Sequence, residues 1–342
     1  MQALPMAATR RVEQRTRYRF WPVARTVGVT GAVCVIGLNL VDPTLGLTLF
    51  WNGLIAYLPL LFLVAPGIWR NVCPMATLNG LPRRLGKPGR RRLSAKAQRR
   101  TPFIAGALFF LLVPLRASGL DRDGHALALF LVMLLGAALV GGMLFVGKAG
   151  WCSQICPMLA VERLYGMSPL VVVRDTHCSP CVGCARNCAD LQPATAALSE
   201  LSNKNNSGGL ARLLFAGAMP WFCLAFFTQP HHLAMAGLLA VYGRLGLLAM
   251  AGAVVGVVLD KYGPWSRYQV IAVHAAAAVS IYYLFVVQST LLSLHLQAPL
   301  VGLIAHGLLL MVSALWLWRA LEREQSARDG KPWVRRQSRR AA

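Results

Sequence analysis

Apolar runs long enough to cross a bilayer recur along the whole chain and leave no room for a soluble globular fold. A membrane-spanning helix needs about 20 predominantly apolar residues. Eight runs approach or reach that length, at 26–41, 45–69, 102–115, 126–146, 213–228, 233–259, 270–288 and 300–318. The first, third and fifth are short and must borrow flanking residues. With 56% of residues hydrophobic and only 14% charged, the pattern is that of an all-α integral membrane protein with about eight transmembrane helices.

The basic excess, 35 Lys and Arg against 12 Asp and Glu, would suit a nucleic-acid binder if it were not clustered between the apolar runs. Placing the N-terminus inside puts all of those basic residues except Arg116, Arg122 and Arg244 on the inner side, as the positive-inside rule requires. An even number of spans then leaves both termini in the cytoplasm of a bacterial inner (cytoplasmic) membrane. Membrane lipid is the expected environment, and nucleic acid is not an expected partner.

The organisation read from this is a basic cytoplasmic N-terminus (1–25), four spans (26–147) interrupted by a basic cytoplasmic loop (70–101), a cytoplasmic cysteine loop (148–212), four further spans (213–318) and a basic tail (319–342). The first run follows its basic flank without an A-x-A-like cleavage site, so it reads as a retained helix. The segment Gly86-Lys87-Pro88-Gly89-Arg90-Arg91-Arg92 reads as an anchor on anionic lipid headgroups. The tract 202–209, rich in Ser, Asn and Gly, reads as a flexible linker. The outer loops are short, so any chemistry on that side calls for a partner protein.

Within the cytoplasmic loop lies Cys178-Ser-Pro-Cys181-Val-Gly-Cys184-Ala-Arg-Asn-Cys188. Four thiols at C-x2-C-x2-C-x3-C spacing converge on one small volume, which is the ligation pattern of bacterial [4Fe–4S] runs. Structural zinc usually pairs two C-x2-C units across a longer loop, and disulfides are disfavoured in a reducing cytosol. Cys178, Cys181, Cys184 and Cys188 are therefore the expected cluster ligands. In two-cluster ferredoxins the fourth cysteine of a run serves the other cluster, so two arrangements remain open. Either the four close on one cluster, or Cys188 joins a second site with the remaining cytoplasmic thiols Cys73, Cys152 and Cys156, completed by a residue such as His177 or Asp190. Cys34 and Cys223 fall inside apolar runs and are expected to pack as small hydrophobes.

Superposing Cys73 on Cys156 aligns Cys73-Pro-Met-Ala-Thr-Leu-Asn-Gly-Leu81 with Cys156-Pro-Met-Leu-Ala-Val-Glu-Arg-Leu164, each following the inner end of an even-numbered span. This is an internal repeat delivering Cys-Pro twice to one face. In the second copy Cys152 lies one helical turn before Cys156, so on a helix both thiols face the same way. In the first copy Trp69 holds that place.

With Cys152, Cys156 and Pro157 as Cys-x3-Cys-Pro, followed by the run from Cys178 to Cys188, the chain resembles the membrane-bound polyferredoxin-like proteins of the NapH and NosR types over about residues 45–193. The resemblance implies quinol-linked electron transfer through [4Fe–4S] clusters. The redox partner would be a cytoplasmic ferredoxin-like protein or a periplasmic reductase. An alternative is an assembly factor that reduces copper for a respiratory metalloenzyme, and a third is a redox-sensing regulator.

Arg244 falls near the middle of the sixth run. It either lines a polar cavity able to take a quinone headgroup or marks the outer edge of a shorter span. His231, His232 and His295 fall in outer loops. His274 and His306, at roughly 7 and 18 Å from the inner edge at about 1.5 Å per residue, are mismatched in depth for a haem pair, and haem is not expected.

Overall fold

The computed structural model describes residues 20–148, 150–173, 193–229, 235–293 and 299–329. Among these residues all regular structure is helical, apart from one isolated bridge between Arg91 and Phe145. In chain order the helices are α1 (Phe20–Val41), α2 (Pro43–Thr48), a π-helical turn (Leu49–Ile55), α3 (Ala56–Val64), α4 (Pro66–Val72), α5 (Pro74–Arg84), α6 (Ala95–Leu112), a 3₁₀ turn (Val113–Ser118), α7 (Gly124–Leu144), α8 (Pro157–Tyr165), α9 (Pro193–Ser202), α10 (Ser207–Phe227), α11 (Met235–Tyr262), α12 (Arg267–Ser293) and α13 (Pro299–Arg328).

Among the described residues seven helices, rather than the eight expected, are long and apolar enough to cross a membrane: Phe20–Val41, Pro43–Val64, Gly124–Leu144, Ser207–Phe227, Gly237–Tyr262, Arg267–Leu291 and Leu300–Arg328. The protein is an all-α multi-pass membrane protein. The run at 102–115 is carried by α6, whose 18 residues include Lys96, Arg99 and Arg100, leaving too short an apolar stretch. Even so, α6 runs between the same two ends of the bundle as its neighbours. Near its start Thr101 Oγ1 hydrogen-bonds Gln154, beside the cysteines, while near its finish Leu111 O accepts from the Tyr242 hydroxyl at 2.6 Å.

The other boundaries follow local chemistry. Asp42 caps α2, its side chain accepting the Leu45 N–H at 3.1 Å, and Ser94 and Asp123 do the same for α6 and α7. The second span stops at Val64, short of the expected 69, because Ala65 is forced out of the helical region (φ −151°, ψ 71°) by Pro66. The tract 202–209 is ordered rather than loose. The Asn206 side chain caps α10 by accepting the Gly208 N–H, and the Lys204 carbonyl accepts from Arg267 at 3.0 Å.

Pro59 sits inside the second span, where it has no N–H to give Ile55 and its ring pushes that carbonyl aside. Two consecutive tyrosines of α12 repair the ladder. The Tyr282 hydroxyl donates to Ile55 O at 3.4 Å, and the Tyr283 hydroxyl accepts the Leu60 N–H at 2.9 Å while donating to Ala56 O at 3.1 Å. Freed backbone groups at membrane depth are tolerated only when neighbours satisfy them in this way.

Between helices the closest approaches are made by small residues, as is usual where lipid supplies no hydrophobic drive. A Cβ on Gly142 of α7 would lie 2.0 Å from Asn79 O of α5, and one on Gly217 of α10 would lie 2.7 Å from Gly252 O of α11. The main core gathers Phe62 and Leu63 of α3, Leu164 and Tyr165 of α8, Leu213 of α10, Ile271 of α12 and Trp316 of α13.

Ion pairs gather at the end of the bundle that carries the cysteines. Arg70 pairs with Glu162, Arg212 with Glu200 and Arg267 with Asp260. At the same end Arg323 of α13 donates to Ser168 Oγ at 2.7 Å and Pro169 O at 3.1 Å. The basic loop follows the end of α7, with Arg91 N–H donating to Leu144 O and Val146 N–H to Arg91 O, both at 3.0 Å. Its side chains Arg90, Arg91 and Arg92 remain exposed.

Candidate functional site

The two Cys-Pro repeats fold alike. Cys73 precedes α5 with φ −55° and ψ 123°, and Cys156 precedes α8 with φ −57° and ψ 122°. In each, the following proline holds the cysteine extended and begins the helix at its first position, where its missing N–H costs nothing. Neither thiol caps its helix through a side-chain hydrogen bond, but the first-turn N–H groups of Ala76 and Met75, and of Met158 and Leu159, favour the thiolate of Cys73 and Cys156 respectively. Two helix N-termini therefore present thiols to one volume.

Cys152 joins them by a different route from the one expected. Residues 150–155 form turns rather than a helix, with the Trp151 carbonyl accepting from Gln154, Ile155 and Cys156 at 3.1 Å each. Burial pushes the Cys73 thiol up from 9.0 to about 11, against the pull of its two backbone donors. Burial, then the neighbouring Cys73, pushes Cys156 to about 12. Cys152 is also raised, by burial and then by Cys156 and Cys73. Burial is the main cause for all three, and neighbouring thiols add to the shifts of Cys152 and Cys156. Among the described residues, no three His, Cys, Asp or Glu side chains are grouped as a metal ion would require.

Cys73 and Cys156 front a cavity of about 500 Å³ that is almost wholly apolar, within the size range of cofactor and ligand sites. Met75 and Met158, the residues after each Cys-Pro, also line it. From the thiols, with Trp69 and Trp151, it extends past Tyr165 and Cys223 to the opposite end, where Arg116 lies over the Trp51 ring, 4.7 Å from its centroid. The Trp51 indole N–H is taken by Leu120 O at 2.9 Å.

The run Cys178, Cys181, Cys184 and Cys188, with His177 and Asp190, lies outside the described residues, as do His231, His232 and His295. Arg244 does not line the cavity. It is exposed and donates to Thr228 Oγ1 at 3.2 Å, just past the end of α10, and it lies within the span Gly237–Tyr262. Cys34, expected to pack, is exposed on α1, whereas Cys223 is buried as expected. His274 Nδ1 pairs with Val270 O at 2.8 Å and His306 Nε2 with Leu284 O at 3.2 Å.

Sequence reasoning counted Arg116 only as an outer-loop charge and gave Trp151 no role. The paired methionines were visible in the repeat, whereas the position of Arg116 against Trp51 depends on a contact between distant parts of the chain. Comparison with protein-family models, curated proteins and solved structures finds no match for this chain.

Proposed function

We propose that this is a membrane electron-transfer protein of a bacterial inner membrane, with the cysteine end in the cytoplasm. In this reading Cys178, Cys181, Cys184 and Cys188 hold a [4Fe–4S] cluster that exchanges electrons with the quinone pool on behalf of a partner reductase. The supporting observation is convergence at one end of the bundle. The chain enters the ferredoxin-spaced run beside α4, where Gly67 packs on Val173 O, and the two Cys-Pro caps meet the mouth of a quinone-sized apolar cavity at that same end. The basic residues concentrated there favour the cytoplasmic side by the positive-inside rule. The cluster would supply one-electron chemistry, and the protein's part is to hold it beside the cavity.

Iron and acid-labile sulfide content, with EPR after dithionite reduction, tests the reading on anaerobically purified protein and on Cys181→Ser. About four irons per chain and a signal lost in the variant are expected for one cluster. Zinc in place of iron would overturn it.

One observation favours copper reduction as a second reading. Cys73, Met75, Cys156 and Met158, the paired residues of the two Cys-Pro-Met repeats, all line the cavity, and soft ligands of this kind select Cu(I). Stoichiometric Cu(I) retention against a chelator, lost in a Cys73→Ser/Cys156→Ser variant, is the result that reading requires.

A further inference from the structure

Two apolar spaces adjoin along the second span. The cavity shares Leu54, Leu58, Trp69 and Val72 with a more open groove of about 460 Å³, on a side where Leu54 and Tyr57 are 41% and 53% exposed. The cavity walls from Gly28 to Ile36 on α1 and from Met219 to Phe227 on α10 run about 12 Å at about 1.5 Å per residue. The groove wall from Gly53 to Val64 runs about 16 Å on the same basis. Both lengths are close to half of a bilayer core, about 15 Å. Each space therefore suits one hydrocarbon chain, and a ligand with two chains would straddle Leu54 and Leu58.

The head of such a ligand is indicated by charge. Among the described residues lining the cavity Arg116 alone is charged. Its guanidinium lies over the ring of Trp51, two residues before the groove wall begins at Gly53. Among the described residues it makes no hydrogen bond or ion pair, and its nitrogens keep accessible surface. Burial works against its charge, and the one acid that acts on it, Asp121, stands 3.8 Å from Arg122 instead. A partly desolvated cation in this position favours a ligand that brings an anion.

We propose that the cavity and the groove hold the two acyl chains of an anionic phospholipid whose phosphate is bound by Arg116, at the end of the bundle away from the cysteines. A zwitterionic headgroup brings its own cation to its phosphate, so a net-negative lipid gains more from Arg116. The site goes beyond the electron-transfer reading and does not depend on it. Gly31 offers a way to close it, because it lines the cavity and an added Cβ there would meet nothing within 4 Å. A larger side chain at that position enters the space of the lipid chain without a backbone clash.

The test uses full-length protein in a mild detergent, titrated with phosphatidylglycerol, with phosphatidylcholine of the same chains and with single-chain lysophosphatidylglycerol, the adducts being counted by native mass spectrometry. One saturable phosphatidylglycerol per chain is expected, with both other lipids at least about tenfold weaker. Arg116→Gln is expected to weaken phosphatidylglycerol about tenfold, the loss of one hydrogen bond to a charged group, and to abolish the preference over phosphatidylcholine. Arg116→Lys, which keeps the charge, is expected to recover part of it. Gly31→Phe is expected to remove the saturable adduct, whereas Arg244→Gln, at a cation outside the cavity, leaves it unchanged. Equal affinity for the three lipids or adducts that fail to saturate, both read on the wild-type protein and so independent of how any variant folds, overturn the site. A saturable adduct indifferent to both Arg116→Gln and Gly31→Phe overturns it as well.

Discussion

Removing the Tyr283 hydroxyl isolates the energetic role of the repaired helix. In Tyr283→Phe the ring still packs, but the Leu60 N–H and the Ala56 carbonyl lose the oxygen that bridges them at 2.9 and 3.1 Å. Leaving a buried group unpaired costs about 1–3 kcal/mol, while interhelical hydrogen bonds in membrane proteins average only about 0.6 kcal/mol. The higher range applies here because Pro59 prevents the helix from closing its own ladder, so the orphaned groups have nowhere else to turn. A loss of about 1–3 kcal/mol is therefore expected, read as a lower midpoint in detergent-induced or thermal unfolding followed by far-UV circular dichroism. Pro59→Ala supplies the control. With the proline gone, Ile55 O regains a donor and Leu60 N–H can bond Ala56 O directly, so Tyr283→Phe in that background should cost less than about 1 kcal/mol. Equal costs in both backgrounds would refute the coupling between the proline and the tyrosine.

Other perturbations test separate parts of the structure. Glu162→Gln removes the ion pair with Arg70 between α4 and α8, where the two side chains are 11% and 9% exposed, and should destabilise by about 1–3 kcal/mol in the same unfolding assay. Gly142→Ala forces a Cβ to within 2.0 Å of Asn79 O and should separate α5 from α7 at a cost of about 1–3 kcal/mol, measured as increased protease sensitivity of the basic loop. Folded Cys73 and Cys156 hold their protons to about 11 and about 12, against 9.0 ordinarily. Because the unfolded chain ionises first, stability should fall as pH rises above 9, with the slope flattened in Cys73→Ala/Cys156→Ala. Arg244→Ala, on an exposed face at the far end, should change stability by no more than about 0.5 kcal/mol and leave quinone binding untouched.

Much of the architecture was legible because bilayer length and helix rise bind sequence to structure tightly. Runs such as 126–146 and 270–288 reappear as α7, shifted two residues toward the N-terminus, and α12, extended by a few residues at both ends. The departures have local causes. Pro66 ends the second span early, and the arginines of α6 dilute an apolar stretch that still runs the length of the bundle. The Cys-Pro repeat was legible as a pattern, and its meaning as paired helix caps follows from what proline does to the residue before it. The cavity was not legible. Its wall combines α1, the second span, α4, α5, α6, α7, α8, α10 and α12, and no local pattern announces that segments so far apart in the chain leave a space between them. Arg244 drew attention because charge in an apolar run is conspicuous, yet it lies on an exposed face away from the cavity.

The clamp from the last helix onto the segment before the cysteine run also bears on how the protein is made. Arg323 reaches Pro169 across 154 residues of chain, so while the ribosome works through α10 to α13 the segment leading into the run has no such fastening. At about 5–20 residues per second that interval lasts roughly ten to thirty seconds. During it the segment is held only by earlier parts of the chain, Leu170 N–H and Val171 N–H donating to Leu63 O and Val64 O, until the final helix docks and adds its own bonds.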